Sequence, residues 1–472
     1  MITIRESSLY RAVDYFVKKL RGYINIQNIM ILSLYLIITN GVFLLFDLVL
    51  NADRYYVVLD YFILIPLLFF RKLKILFIIG FSVVFMADML YWIRQFYPYN
   101  NLTDFYELIK FIPYGPKIYW FFACLIFIWF VFTAYLAGRF YSKFSSNIRF
   151  CIFGIIVILF FKVFVFDYRG VNMSNHLKTE GLWGTMYETY NNLKYNTALL
   201  VYSAEGADFH ESTLKSSFLP HLSDMSSNKI IFVLNESWGL SPEYHDIVIS
   251  DLLSISNKLE FIEQGTTETV HSTILGEIRE LCNLESTSVN FSAGKVEKLN
   301  HCAPNILKNK GYQTYSFHAA DSRMYARNGW YPYMGLSHIT FYTELVNKER
   351  CFSFPGGCDE NVLNEITQTL KKNERQFIYW LTLNSHHPYS KKDIKNYTID
   401  CDNQKFEGRQ EYCRNLNLQK QFFKRLVNQV FLPQYSGAEI FIVGDHPPPL
   451  LFDKKKDSFN DHVVPYIYFK VK

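Results

Sequence analysis

Ile230-Ile231-Phe232-Val233-Leu234 runs straight into Asn235-Glu236-Ser237-Trp238-Gly239, and the same grammar returns at Ile440-Phe441-Ile442-Val443-Gly444-Asp445-His446. Each is a short apolar run that stops abruptly in polar residues. A strand with one wet face would alternate apolar and polar side chains. Unbroken runs rich in β-branched and aromatic residues suit strands buried on both faces, as in parallel sheets. Two further runs obey the pattern. Tyr312 to Phe317 leads to His318 and Asp321, and Phe377 to Leu383 leads to Asn384-Ser385-His386-His387. Helix-like segments lie between them, Ile274 to Leu281 and Asn361 to Leu370, as βαβ crossovers require. Open sheets of this kind bind ligands at the carboxyl ends of their strands, which is where all four polar clusters fall.

Outward from this region the composition changes. The chain has 472 residues, too many for one ordinary domain. Up to about Phe166 it is dominated by apolar runs, from Ile29 to Leu50, Tyr55 to Phe70, Ile75 to Trp92, Ile118 to Ala137 and Phe150 to Phe166. Each is a candidate membrane span. The expected organisation is a five-helix transmembrane bundle over residues 1–168, a juxtamembrane connector over 169–228, and an α/β/α domain over 229–472. Basic residues orient the bundle. Arg5, Arg11, Lys18, Lys19 and Arg21 precede the first run, Arg71, Lys72 and Lys74 follow the second, and Arg139, Lys143 and Arg149 follow the fourth. Five spans place all three groups on one side. The N-terminus is then cytoplasmic and residues beyond 166 are outside. Asp47, Asp60, Asp88 and Lys162 read as residues near span ends that reach the interface, the alternative being that they mark a functional cavity. The net charge is only +5, and no basic cluster is interleaved with aromatics as a nucleic-acid surface would be.

Cysteine usage agrees with an outside domain. Cys124 and Cys151 lie in apolar runs. The other six fall in the C-terminal region, and an even number suits disulfides in an oxidising compartment. Six cysteines allow 15 pairings. Nearest neighbours, 282 with 302, 351 with 358 and 401 with 413, would close three short loops. No CxxC pair suggests zinc instead.

Glu236, Asp445 and His446 offer two carboxylates and an imidazole at two strand ends, a donor set that suits one divalent metal, zinc or manganese. Ser272 and Thr273 immediately precede a helix-like run. A hydroxyl there sits beside unpaired backbone N–H groups that favour a phosphate anion, and a metal would lower its pKa. Each residue has an ordinary reading as well. Thr273 could be a helix N-cap, Glu236 a loop carboxylate, and His446 an exposed turn histidine. Ser272 and Thr269 are rival hydroxyls.

The clusters occur in the order found in the alkaline phosphatase superfamily, and the chain resembles its membrane-anchored, sulfatase-like branch, which includes lipoteichoic acid synthases and phosphoethanolamine transferases. Leu234 to Trp238 resembles the segment with a metal-binding glutamate, which implies Glu236. Ser272 to Glu277 resembles the nucleophile motif, a threonine followed four residues later by glutamate, which implies Thr273 as nucleophile and metal ligand. Phe317 to Arg327 resembles the segment ending in a phosphate-binding arginine, which implies Arg327, with Tyr325 at an aromatic position. Thr382 to Tyr389 resembles the motif of the substrate-binding histidine, which implies His386, with His387 beside it. Val443 to His446 resembles the closing metal motif, which implies Asp445 and His446. The chain departs at Pro447-Pro448-Pro449 and at Ala326, where the family has small or polar residues and asparagine.

The resemblance implies a transferase of the bacterial inner membrane with a periplasmic catalytic domain. It would move phosphoglycerol or phosphoethanolamine from a membrane phospholipid to an envelope glycan (lipopolysaccharide, capsule or periplasmic glucan) through a phosphothreonine. His386 or His387 would shuttle protons. A metal-dependent hydrolase and an inactive lipid-sensing relative are the alternatives. The Cys/Ser-x-Pro/Ala-x-Arg motif expected of a sulfatase is absent around Thr273.

Overall fold

The computed structural model describes residues 26–50, 57–58, 60–94, 117–140, 183–184, 207–286, 288–291, 295–454 and 458–472. The chain divides into two compact units, and all described residues from 207 onward lie in the second.

The second unit is built on seven strands: β1 (Lys229–Asn235), β2 (Leu259–Glu268), β3 (Gln313–His318), β4 (His338–Thr340), β5 (Gln376–Leu381), β6 (Glu439–Gly444) and β7 (Val463–Val471). They lie in the order β2-β7-β6-β1-β5-β3-β4. The block β6-β1-β5-β3-β4 is parallel throughout, and β7 runs antiparallel to both its neighbours. Among the described residues, the longer helices that cover the sheet or carry residues to its carboxyl edge are α1 (His245–Ser254), α2 (Thr273–Cys282), α3 (Asp359–Thr369) and α4 (Gln410–Val430).

Alternation along the central strands feeds two cores. Ile231, Val233, Ile378, Trp380, Ile440 and Ile442 face α1, α3 and α4 through Val248, Leu252, Val362, Ile366 and Phe423. Phe232, Leu234, Tyr379, Leu381, Phe441 and Val443 face Ile274, Ile278 and Leu281 of α2. Both faces are covered, which is why these strands read as unbroken apolar runs. Burying one such side chain, Phe232 for example, contributes about 1.5–3 kcal/mol. The α/β/α expectation holds, and the four runs are the four strands β1, β3, β5 and β6.

Register does the rest. Gly444 pairs with Asn235 and Leu381 pairs with Leu234. The first residues past these ends, Asp445, Glu236 and Thr382, therefore emerge side by side. Gly444 is required for that approach, since a β-carbon there would collide with the carbonyl of Trp238.

Residues 207–228, read from the sequence as the end of a connector, pack within this unit. Phe209–Glu211 pairs antiparallel with Leu284–Ser286, and Phe218 and Leu222 enter the core beneath β1. Their apolar residues follow neither a helical nor a strand period, so no pattern announced them.

All three expected disulfides form: Cys282–Cys302, Cys351–Cys358 and Cys401–Cys413. The first fastens the end of α2 to the segment 20 residues on, a loop that stabilises by about 3 kcal/mol in the chain-entropy account.

The first unit contains helices Ile26–Leu50 and Lys74–Arg94 and most of Lys117–Phe140, of 25, 21 and 24 residues. Counted over the described residues alone, no helix is long and apolar enough to cross a membrane. The five-helix bundle is not seen as expected. The run from Tyr55 to Phe70 is not one helix: it breaks into Asp60–Ile63 and a 3-10 segment, Ile65–Phe69, because Pro66 cannot donate to a continuing α-helical ladder. The run from 150 to 166 lies outside the described residues, as do the side chains of Asp47 and Lys162. Asp88 is buried rather than interfacial and accepts from the Tyr61 hydroxyl at 3.0 Å. Asn40 Oδ1 accepts from the Val58 amide at 2.8 Å, and Phe43 meets Phe85 at 5.0 Å. Leu34, Ile37, Ile75, Ile79, Val83, Phe127 and Ile128 point outward.

Candidate active site

Glu236 leaves β1 at a sharp turn completed by Ser237, whose φ is 52°. The turn is held by five hydrogen bonds. The Glu236 amide donates to Thr382 Oγ1 at 2.8 Å, and the Glu236 carbonyl accepts from Ser385 Oγ at 2.6 Å and Gln419 Nε2 at 2.9 Å. The Ser237 amide donates to Asp445 Oδ1 at 2.7 Å, and Asn415 Nδ2 donates to the Ser237 carbonyl at 3.0 Å. Asn415 and Gln419 project from α4. Sequence reading missed both, because single polar residues inside an amphipathic helix carry no motif.

Asp445 and His446 leave β6 next to this turn. His446 Nδ1 lies 2.9 Å from the Pro447 carbonyl. A carbonyl only accepts, so Nδ1 carries the proton and Nε2 presents a lone pair to the site. One ligand atom each from Glu236, Asp445 and His446 lies within 4.8 Å of the others. Burial raises the pKa of Glu236, with His446 opposing. Asp445 is pushed up to about 6 by burial and then by the charge of Glu236. For His446, burial opposes the charge, and Asp445 and Glu236 outweigh it, so its pKa lies above the ordinary value. Two buried carboxylates that repel each other, beside an imidazole lone pair, are a donor set a divalent cation would satisfy. The residues fit such a group.

Thr273 opens α2. Ser272 before it is extended and makes no side-chain cap to the helix. Thr273 Oγ1 donates to Asp445 Oδ2 at 2.7 Å and lies 3.4 Å from both Glu236 Oε2 and His446 Nε2. Of the three rival hydroxyls, Thr273 is placed among all three candidate ligands. Thr269 Oγ1 donates to the Asp445 carbonyl at 3.2 Å.

The other side of the site is different. Arg327 is buried and its Nε and Nη2 donate to Glu277 Oε2 at 3.0 and 2.7 Å. Glu277 Oε1 also accepts from the Tyr331 and Tyr379 hydroxyls at 2.5 and 2.8 Å. Burial alone would depress Arg327, and Glu277 more than reverses that, so the guanidinium stays charged. Glu277 sits one turn below Thr273 on the same helix face. The sequence carried that signal in the spacing of four, and it positions a residue rather than offering a ligand. Tyr325 and Ala326 adopt φ of 54° and 51°, and the Arg327 guanidinium lies 5.2 Å from the Tyr325 ring centre.

His386 and His387 part ways. His386 Nδ1 donates to the His387 carbonyl at 2.7 Å, its ring packs on Phe354 at 4.4 Å, and burial pushes its pKa down to about 4. The ring feels both His446 and Asp445. His387 Nε2 instead meets Glu411 Oε1 at 2.9 Å in a buried pair. His318, at the end of β3, donates from Nδ1 to the Leu381 carbonyl at 3.1 Å, and burial holds its pKa well below normal.

Among known proteins, residues 267–469 match the family model described as Sulfatase. The chain is similar to the lipoteichoic acid synthase LtaP of Listeria monocytogenes, at 15% identity over 51% of this chain and 64% of that one, with a TM-score of 0.39. It is similar to the phosphoglycerol transferase GacH of Streptococcus pyogenes, at 17% identity over 53% and 72%, with a TM-score of 0.40. It is also similar to the lipooligosaccharide phosphoethanolamine transferase A of Neisseria meningitidis, at 12% identity over 74% and 68%, with a TM-score of 0.41. The chain spans less than two thirds of the first of these. Comparison with curated proteins finds no match.

Proposed function

We propose, from the premise that residues 267–469 carry a sulfatase-family domain of the alkaline phosphatase superfamily, that this chain is a membrane-anchored transferase. It moves a phosphoglycerol or phosphoethanolamine head group from a membrane phospholipid to an envelope glycan. The observation that carries the reading is the position of Thr273 Oγ1, at a helix N-terminus, 2.7 Å from Asp445 and 3.4 Å from Glu236 and His446.

Glu236, Asp445 and His446 are the residues that would hold one divalent cation, zinc or manganese, near Thr273. When bound, such a cation lowers the pKa of a nearby hydroxyl and offsets phosphate charge. Thr273 Oγ1 attacks the phosphorus of the donor. Its proton passes to a neighbouring base, the Thr273–phosphorus bond forms, and the bond to the diacylglycerol oxygen breaks. Diacylglycerol leaves with a proton. A hydroxyl of the glycan then attacks the same phosphorus and releases Thr273, its proton returning to the threonine. His386, kept neutral by its burial, offers its second ring nitrogen as a hydrogen-bond acceptor for that hydroxyl. Arg327, fixed by Glu277, and Tyr325 border the phosphate side. The backbone N–H groups that open α2 supply further donors.

The anchor rests on two observations. The helices of the first unit expose apolar side chains, Leu34, Ile79 and Phe127 among them, while Asn40 and Asp88 are buried. The sequence up to residue 166 carries five apolar runs, with basic residues before the first, after the second and after the fourth. A division at about residues 168 and 228, an inner-membrane location and a periplasmic second unit belong to the same reading. Three disulfides in the second unit support the oxidising side.

The test is release of diacylglycerol from phospholipid vesicles by the full chain. The reading expects release from phosphatidylglycerol or phosphatidylethanolamine, abolished by chelation and restored by zinc or manganese. Release of the free head group at the same rate with and without a glycan acceptor would identify a hydrolase instead.

A further inference from the structure

The loop closed by the Cys351–Cys358 disulfide lies against the segment that carries His386. Phe354, buried within the loop, meets the His386 ring at 4.4 Å between centres. Gly356 and Gly357 bring the loop against the end of β3. The Gly357 amide donates to the Ala319 carbonyl at 2.9 Å, and a β-carbon on Gly356 would stand 2.5 Å from Leu383 Cδ2. The next residue after the disulfide is Asp359, at the start of α3. Its carboxylate accepts from the Leu383 amide at 3.0 Å and the Asn384 amide at 2.7 Å, while its own amide donates to Asn384 Oδ1 at 2.6 Å. On the far side, the Ser390 amide donates to Ser353 Oγ at 2.9 Å. Asp393 in turn accepts from the Phe352 and Ser353 amides at 2.8 and 2.5 Å. The segment from Leu383 to Asp393 is thus gripped before and after His386, and a ring is laid on His386 itself.

A general surface loop has no need of this. The short loop, closed on itself by the disulfide, holds one aromatic side chain inward. Every one of these contacts falls on the His386 segment or on the strand end beside it. We propose that the Cys351–Cys358 loop is a positioning device for His386: Phe354 seats the imidazole and Asp359 fixes the backbone that precedes it. This rests on the reading of His386 as a residue that meets the transferred phosphoryl group or its acceptor. The disulfide makes the device rigid, so His386 is held in place before substrate arrives rather than ordered by it. Because closure depends on an S–S bond, the positioning is complete only where the thiols are oxidised.

Phe354 is a positioning residue and not a catalytic one, so the experiment separates placement from turnover. Three variants of the full chain are compared with the parent: Phe354→Leu, which keeps volume and loses the ring, the pair Cys351→Ser with Cys358→Ser, and Phe352→Ala. The last changes a side chain of the same loop that faces solvent. Placement is read by the rate at which diethyl pyrocarbonate modifies His386, measured by peptide mass spectrometry between pH 5 and 8. Turnover is read as kcat and KM for diacylglycerol release. In the parent the modification is slow, and the ring stays neutral across that range because burial holds its pKa near 4. The groups facing it are His387, His446 and Asp445, with His318 from β3.

Phe354→Leu and the double serine variant are expected to raise the modification rate about tenfold by freeing the segment. They also introduce a fall in that rate below about pH 6.5, where a free imidazole protonates. Their kcat drops by about 10- to 100-fold with less change in KM, as for a misplaced group. Phe352→Ala leaves all three readouts unchanged. Equal modification rates in the parent, Phe354→Leu and the serine pair would overturn the proposal, whatever their activity. Faster modification in a chain that releases no diacylglycerol even as the parent would keep the positioning and overturn the transferase reading instead.

Discussion

The two sides of the candidate site are built from similar material and finished differently. On one side Glu236, Asp445 and His446 converge, each charge aimed at a shared point with Thr273 among them. On the other, Arg327 is held by Glu277, and His387 is held by Glu411. The first side holds two buried carboxylates against each other with His446 as their partner, a donor set that suits a divalent cation. The second is charge already answered, leaving His386 as the ring with its far nitrogen turned from the His387 carbonyl. Active sites are commonly unfinished where they work and finished where they only hold shape. Burial and charge distinguish the two sides here, and motif similarity does not.

The largest effect belongs to the unfinished side. Thr273→Ala should lower head-group release by at least about a thousandfold, since the residue to which the group would be attached is gone. Asp445→Asn should weaken zinc or manganese binding by at least about a hundredfold, read by equilibrium dialysis. A variant that binds metal as the parent does would break the comparison at its centre.

Next comes the finished side. Arg327→Met leaves Glu277 buried with only two tyrosine donors, and should destabilise the second unit by about 3–5 kcal/mol. Denaturant unfolding measures this, and Arg327→Met with Glu277→Leu should recover much of the loss. A stable Arg327→Met chain that loses only activity would move Arg327 to the working side.

Asp359 gives a smaller, signed effect. Burial pushes its carboxyl up to about 6. The folded state therefore holds a proton that the unfolded state gives up at the usual carboxylate value. Stability contributed by that proton is present at pH 4 and is lost as pH rises to about 6. Asp359→Asn should flatten the dependence of unfolding free energy on pH across that window. An unchanged slope would mean the carboxyl titrates normally.

The smallest effect is expected at Ser272. Its hydroxyl caps nothing in α2, so Ser272→Ala should cost well under the ~1 kcal/mol of a typical N-cap. Head-group release should stay at the parent rate. A large loss of release would make Ser272 the nucleophile and Thr273 its neighbour.

Much of this was legible in the sequence because adjacent parallel strands bring their ends together. Once β1 and β6 were read as buried strands, Glu236, Asp445 and His446 had to emerge near one another. The disulfides were legible because their loops are short. What the sequence withheld lies in side-chain direction and in irregular chain. Nothing in His386-His387 says which ring faces the site, because the chain turns between them and only tertiary contacts, Phe354 for one and Glu411 for the other, decide it. Arg327 looked free because Glu277 lies fifty residues earlier and meets it only across the packed α2. The segment from 207 to 228 carried no period.

The central claim is that Thr273 is the residue on which the head group is carried. Peptide mass spectrometry of the full chain, incubated with phosphatidylglycerol or phosphatidylethanolamine, zinc or manganese, and no acceptor, tests it most directly. The account predicts a mass increment on Thr273 matching phosphoglycerol or phosphoethanolamine, absent in Thr273→Ala and discharged when a glycan acceptor is added. An increment on Ser272 or Thr269 instead, or diacylglycerol release with no increment on any hydroxyl, would contradict it.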